Sequence, residues 1–188
     1  MIIGLDVSTS ITGATVLDDE GKTLYCEAWD TRNKNHYPDM FYKASFIQSK
    51  LSEIKHNFSI YNSPHLDEKK DSLFIEQTLN RFRPGFSSAK TLLTLARFNG
   101  IVSYLCVREL SLRPEYLGVT TARKLAGIKV PKGENSKDYV LNFLLDNEPS
   151  FSVEYTKHGN PKPGSYDRAD SLVIAKAGHI LRLDDDKR

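Results

Sequence analysis

Over the first thirty positions, apolar residues run together or alternate at short intervals; along most of the remainder they recur every three or four residues. Ile2–Val7 is a short, mainly apolar run, Ser8–Gly13 supplies turn residues, and Ala14–Asp18 is a second run. Asp19–Lys22 makes a tight connection to Thr23–Trp29, which alternates as a half-buried strand does. Three strands with such short links predict an antiparallel meander.

After Pro38 the period changes. Phe41, Ala44, Ile47, Leu51, Ile54 and Phe58 follow helical steps and predict an amphipathic helix. A polar, turn-rich stretch from Asn62 to Asp71 precedes Ser72–Gln77, whose Leu73-Phe74-Ile75 core ahead of an acid reads as a buried central strand. Asn80–Ser88 is a loop by its Pro-Gly pair and its arginines, and Ser87 or Ser88 caps a long helix through Ala89, Leu92, Leu93, Ala96, Ile101 and Leu105. Glu115–Thr120 is a candidate strand, Thr121–Gly127 a short helix ended by glycine, and Lys129–Ser136 a basic loop. Ser136 is placed to cap a helix bearing Val140, Leu141, Leu144 and Leu145. Glu148–Ser165 is an irregular crossing before a last helix over Tyr166–Leu183.

The order β-β-β-α-β-α-β-α-α-α predicts an α/β protein: a mixed five-stranded sheet, antiparallel first and parallel afterwards, with helices on its faces. Neither an internal repeat nor a linker breaks the chain, so residues 1–188 read as one domain.

With 39% hydrophobic and 27% charged residues, the composition excludes a disordered or collagen-like chain. No apolar run approaches the ~20 residues of a membrane span, and Met1–Ser10 lacks the pattern of a secretory signal. Cys26 and Cys106 sit in apolar segments without a CxxC partner, as reduced core thiols of a cytoplasmic protein do. Charge is unevenly spread. From Gln77 to Val140 eleven Lys/Arg face four Asp/Glu, a balance of +7, which leaves −5 for the rest of a chain whose net charge is +2. A basic middle beside an acidic remainder suits a polyanion-binding surface next to a carboxylate cluster.

Asp6 ends the first strand and Glu76 the central one, while Asp167 and Asp170, three apart, share a face of the last helix. Ligands of open sheets gather at the carboxyl ends of strands. If these two strands are parallel neighbours, their acids can converge on one cation. All-oxygen ligands with no His/Cys cluster favour Mg²⁺ or Mn²⁺ over zinc, and two such ions about 4 Å apart can drive phosphodiester hydrolysis.

Three motifs now align. GLDVSTSITGATVLD carries Asp6, with Thr12 and Gly13 six and seven residues on; FIEQ carries Glu76; DRADSLVIAKA carries Asp167 and Asp170. In this order they resemble the RuvC-type Holliday junction resolvases of the RNase H-like nuclease superfamily. SSAKTLLTLARFNGIVSYL is similar to that family's long helix, and ARKLAGIKVPKGENSKDYV to its lysine-bearing segment. The resemblance implies an RNase H-like fold and a Mg²⁺-dependent endonuclease, with two ions held by Asp6, Glu76, Asp167 and Asp170 and Mn²⁺ able to substitute. It also implies a four-way DNA junction as substrate, in recombination and repair. Phosphate contacts fall near Lys124 and Lys137, with Lys129 and Lys132 on the loop between. The chain departs from the family in having Val7-Ser8 where Pro-Gly is common and a longer loop after Glu76. The family's aromatic wedge lies in that loop. Leu79 takes the commonest wedge position, so Phe82 or Phe86, interleaved with Arg81 and Arg83, are the candidates to stack on bases. His158, nine residues before Asp167, reads as a solvated loop histidine.

The long helix makes the dimer interface in the family. Here it spans Ser88 to about Arg108, and Leu93, Phe98, Val102 and Cys106 are expected to leave apolar surface beyond one core-facing stripe, which a homodimer would use as its interface. Three rivals stand beside this reading. An actin/sugar-kinase-like nucleotide-binding protein has a similar first loop but needs a second DxGG-type loop and usually twice this length. A non-catalytic module predicts loss of an acid, and all four are present. An RNA-processing nuclease of the same superfamily is not separated by these motifs.

Overall fold

Ile2, Ile3 and Leu5 are fully buried because both faces of their strand are covered, which is why this segment reads as a continuous apolar run. The computed structural model describes residues 1–60, 71–77 and 88–185. Its elements are β1 (Ile2–Asp6), β2 (Ile11–Leu17), β3 (Thr23–Asp30), α1 (Met40–Asn57), β4 (Ser72–Glu76), α2 (Ala89–Leu110), β5 (Glu115–Leu117), α3 (Val119–Leu125), α4 (Ser136–Asn147) and α5 (Ser165–Asp185). The five strands lie in the order β3-β2-β1-β4-β5, antiparallel from β3 to β1 and parallel from β1 to β5. This is the mixed sheet predicted from the pattern.

Strand alternation distributes the core over both faces. Ile3, Leu5, Leu73 and Ile75 pack on one side with Ile47, Leu51, Phe98 and Val102 of α1 and α2. Ile2, Phe74 and Leu117 pack on the other with Ala122, Leu141, Leu144, Leu172 and Val173 of α3, α4 and α5. Each fully buried Ile or Leu contributes about 1.5–3 kcal/mol. Asp39 caps α1 by accepting from the Phe41 and Tyr42 amides, and Ser88 caps α2 by accepting from Thr91.

Several local readings are corrected. β2 begins at Ile11, so the turn after β1 is confined to Ser8–Ser10; the Ser8 hydroxyl accepts from the Ser10 and Ile11 amides and donates to the Ile11 carbonyl. β5 is only three residues long, and its expected continuation, Val119 and Thr120, opens α3. Asn135, not Ser136, caps α4, its side-chain oxygen accepting from the Lys137 amide. Phe98, Val102 and Cys106 are completely buried and form the core stripe of α2 itself; the apolar surface that remains is Leu93, Tyr104 and Val107. Phe41, expected at the head of the buried stripe of α1, is 70% exposed because that face begins one turn later, at Ala44. Cys26 and Cys106 are both free thiols.

Candidate active site and nucleic-acid interface

Parallel pairing of β1 with β4, with Leu5 opposite Ile75, brings their last residues side by side and so places Asp6 next to Glu76. The third wall depends on glycine. Asp6 pairs with Gly13 on β2, and a Cβ at Gly13 would lie 1.9 Å from the Asp167 carbonyl oxygen. Any larger residue there would lift the first turn of α5 off the sheet. Gly4 acts likewise further along, where a Cβ would meet α5 backbone at 2.5 Å. Thr12, buried beside Gly13, donates to the Ser8 carbonyl and fixes the turn that follows Asp6.

Pressed down in this way, α5 delivers Asp170 to the strand ends. Carboxylate oxygens of Asp6, Glu76 and Asp170 all lie within 4.8 Å of one another. Asp167 stands one turn earlier, outside that triad but on the same cleft, a cavity of about 420 Å³ also lined by Val7, Ser8, Gln77, Leu95, Val119, Arg123 and Lys137. On the outer side of β4, buried Asn99 of α2 reaches the Glu76 carbonyl at 3.5 Å.

The acids are held against their preference for ionisation. Burial, then the charges of Glu76, Asp170 and Asp167, raise the Asp6 carboxyl well above the usual carboxylate range. Burial and Asp170 push Glu76 up to about 7, and Asp6 and Glu76 lie within side-chain hydrogen-bonding reach of each other. Burial also raises Asp167 and Asp170, opposed by Lys137 at both, by Arg32 at Asp167 and by Arg123 at Asp170. Crowding like charges in a half-buried cleft costs several kcal/mol, which a bound cation offsets. The donors present are all hard oxygens, the set that hard divalent cations prefer.

The basic segment divides into three. Lys137 is on the cleft, its ammonium 6.0 Å from the centre of the Tyr166 ring, and Tyr166 in turn donates to Asp138 at 2.6 Å. Lys124 and Lys129 line a neighbouring groove of about 420 Å³ with Thr120, Gly127, Ile128 and Val130. Lys132 is exposed on the loop between α3 and α4. Arg81, Phe82, Arg83 and Phe86, together with Leu79, lie outside the described residues. His158 is exposed.

Arg123 is the site residue that sequence reasoning missed. It lines both the cleft and the neighbouring groove, its guanidinium lies 3.9 Å from Asp170, and its buried Nε has no hydrogen-bond partner among the described residues. Arg123-Lys124 reads simply as basic, and only helical phase separates the two. Arg123 lies four residues after Val119, on the face of α3 turned to the acids, whereas Lys124 is rotated about 100° away. Starting the helix at Val119 instead of Thr121 would have exposed that pairing.

No family model and no curated protein sequence matches the chain. Solved structures do. Thermus thermophilus RuvC in complex with a Holliday junction substrate superposes with a TM-score of 0.60 over 96% of this chain and 94% of its own, at 15% identity. A further Thermus thermophilus RuvC structure matches at 0.60, 16% identity and 98% and 97% coverage. The yeast mitochondrial Holliday junction resolvase Ydc2 matches at 0.58 and 15% identity, over 98% of this chain and 80% of that one. The resemblance read from three motifs is thus met by a resemblance of folds, and the architecture is RNase H-like.

Proposed function

We propose that this protein is a divalent-metal-dependent endonuclease that resolves four-way DNA junctions. The observation that carries the reading is the convergence of Asp6, Glu76 and Asp170 within 4.8 Å at the carboxyl ends of adjacent parallel strands, with Lys137 and Arg123 on the rim. Support comes from the structural neighbours, one of which is bound to a Holliday junction.

In this reading Asp6, Glu76 and Asp170, with Asp167 on the same cleft, would hold the two Mg²⁺ ions, and Mn²⁺ could substitute. Such ions supply an activated water and stabilise the leaving oxygen of a phosphodiester. The chain's own groups do the remaining work. Lys137 and Arg123 draw the phosphodiester into the cleft and face its non-bridging oxygens, and Lys124, Lys129 and Lys132 carry the backbone onward. Arg81, Phe82, Arg83 and Phe86, which follow Glu76 in the sequence, are proposed as contacts to the branch point.

A homodimer completes the proposal, because a four-way junction has two equivalent strands to cut. Its interface would use the exposed face of α2, where Leu93, Gly100, Tyr104 and Val107 share a stripe. A glycine inside a helix costs about 1 kcal/mol relative to alanine. At Gly100 an added Cβ meets nothing within 4 Å among the described residues, leaving room for close approach of a second helix.

The test is incubation with Mg²⁺ and labelled four-way, three-way, duplex and RNA substrates. Paired symmetric cuts in the four-way junction, lost in Asp6→Asn, are expected. Preferential cutting of RNA, or no metal-dependent cutting of any substrate, overturns the assignment.

A further inference from the structure

The basic segment downstream of α2 supplies one wall of the cleft. Beside the turn that follows Asp6 lies Thr31–Lys43, the connection from β3 into α1. Two sets of bonds fasten it to the turn that follows Asp6. The Thr31 amide donates to the Ser10 carbonyl at 2.8 Å, and its hydroxyl reaches the Ser10 and Thr9 carbonyls at 3.1 and 3.3 Å. From α1, the Lys43 ammonium donates to the Thr9 carbonyl. The segment therefore moves with the acids.

Phe41 and Tyr42 are 70% and 59% exposed in the first turn of α1, and Phe41 is the most exposed large apolar side chain among the described residues. Lys34 and His36 are exposed beside them in sequence. Arg32 is aimed by Asp30, which takes its Nε at 2.9 Å and its Nη2 at 2.6 Å, and its charge opposes the raising of the Asp167 carboxyl. Asp39, the acid nearest the aromatics, is spent on capping α1. Exposed rings among cations suit a polyanion whose flat bases are unstacked: rings meet bases while cations meet phosphates.

We infer that Thr31–Lys43 is a second nucleic-acid contact, a cation-and-aromatic platform that takes unstacked nucleotides beside the branch point, next to the turn that follows Asp6. The inference rests on the reading of the protein as a branched-DNA nuclease and adds a surface to it. Lys34 and Arg32 hold the backbone of the arm leaving the cleft, and Phe41 and Tyr42 offer faces for its bases.

The experiment measures binding of a labelled four-way junction and of oligothymidylate over a range of salt, in an Asp6→Asn background so that no strand is cut. Lys34→Ala should lower the slope of log affinity against log salt by about one. The double variant Phe41→Ala/Tyr42→Ala should lose roughly tenfold in affinity with its slope unchanged. Tyr42→Trp should give emission quenched by either ligand, while unchanged thermal melting certifies the fold of every variant. If these variants bind as the background does while Lys137→Ala is weakened, the platform is wrong and the nuclease reading stands. If the background itself binds no junction, the nuclease reading fails first. Altered sedimentation with unchanged DNA binding would assign Phe41 and Tyr42 to a contact between copies and likewise overturn the platform.

Discussion

The two ends of α5 treat charge in opposite ways. At its far end, Lys176 meets Glu148 at 2.5 Å, Arg182 lies 3.4 Å from Asp19, and His179 contacts the Asp19 carbonyl at 3.0 Å. At its near end Asp170 is 18% exposed, the same as Glu148, yet among the described residues its only ion pair is the 3.9 Å approach to Arg123, and carboxylates lie beside it. Equal shielding with unequal pairing shows that burial alone does not explain the near end. A helix fastened by ion pairs at one end can carry crowded acids at the other, and a site built this way is stable only as far as the rest of the fold tolerates it.

The largest expected effect falls at the near end. Asp6→Asn, Glu76→Gln and Asp170→Asn should each lower cleavage by at least about a thousandfold, with junction binding within a few-fold of wild type, because every member of a shared ligand set is needed. Asp167→Asn should cost less, since Asp167 stands outside the triad. Single-turnover cleavage with saturating protein measures this. An Asp6→Asn protein that cuts at the wild-type rate removes the site assignment altogether.

A second effect appears in stability without any DNA. Glu76 is raised from 4.5 to about 7 in the folded chain, so below pH 4.5 it is protonated whether folded or not and costs nothing. Between those values the unfolded chain releases the proton and the folded chain keeps it, so stability falls as pH rises. Glu76→Gln should therefore be more stable than wild type in chelator at pH 8, by up to about 3 kcal/mol, with the difference closing toward pH 5. Added Mg²⁺ should stabilise wild type and not the variant. Equal denaturant midpoints at pH 8 would mean that the triad carries no such strain.

These effects concern residues that were legible in the sequence to different degrees. Asp6 and Glu76 could be placed because a strand-ending acid after an apolar run has one meaning in a parallel pair, and the run fixed the strand. Asp167 and Asp170 followed from helical spacing, but spacing does not reveal that only Asp170 reaches the triad; that depends on how closely Gly13 lets α5 approach. Arg123 was hidden because basic neighbours differ only by phase, and Phe98 was misassigned because an apolar helix does not say which of its stripes meets the core. Phe41 followed the period of α1 and still faces solvent, since a first turn can overhang the sheet it belongs to.

A smaller contrast separates the lysines. Lys137 lines the cleft whereas Lys132 stands outside both grooves, so Lys137→Ala should flatten the salt dependence of junction affinity by about one and Lys132→Ala by less. Binding isotherms at four or five salt concentrations rank them, and equal slopes would place both on solvated surface.

The smallest expected effect tests the far end itself. Lys176 and Glu148 are 26% and 18% exposed, so their attraction is only partly screened, while each has lost part of its hydration. Lys176→Met keeps the aliphatic stem on α5 but leaves Glu148 half-buried and unpaired, at an expected cost of about 1 kcal/mol. Removing both charges with Lys176→Met/Glu148→Gln should recover most of that, because the penalty lies in the stranded carboxylate more than in the lost pair. Neither variant should alter the rate of junction cleavage. Asp170 is positioned by the packing of α5 on β1 and β2 through Gly4 and Gly13, and the far-end pair adds stability without setting that geometry. Denaturant unfolding and single-turnover cleavage of both variants separate the two functions of the helix. A cleavage rate that falls along with stability would show that the pair does position Asp170, and that the two ends of α5 are coupled.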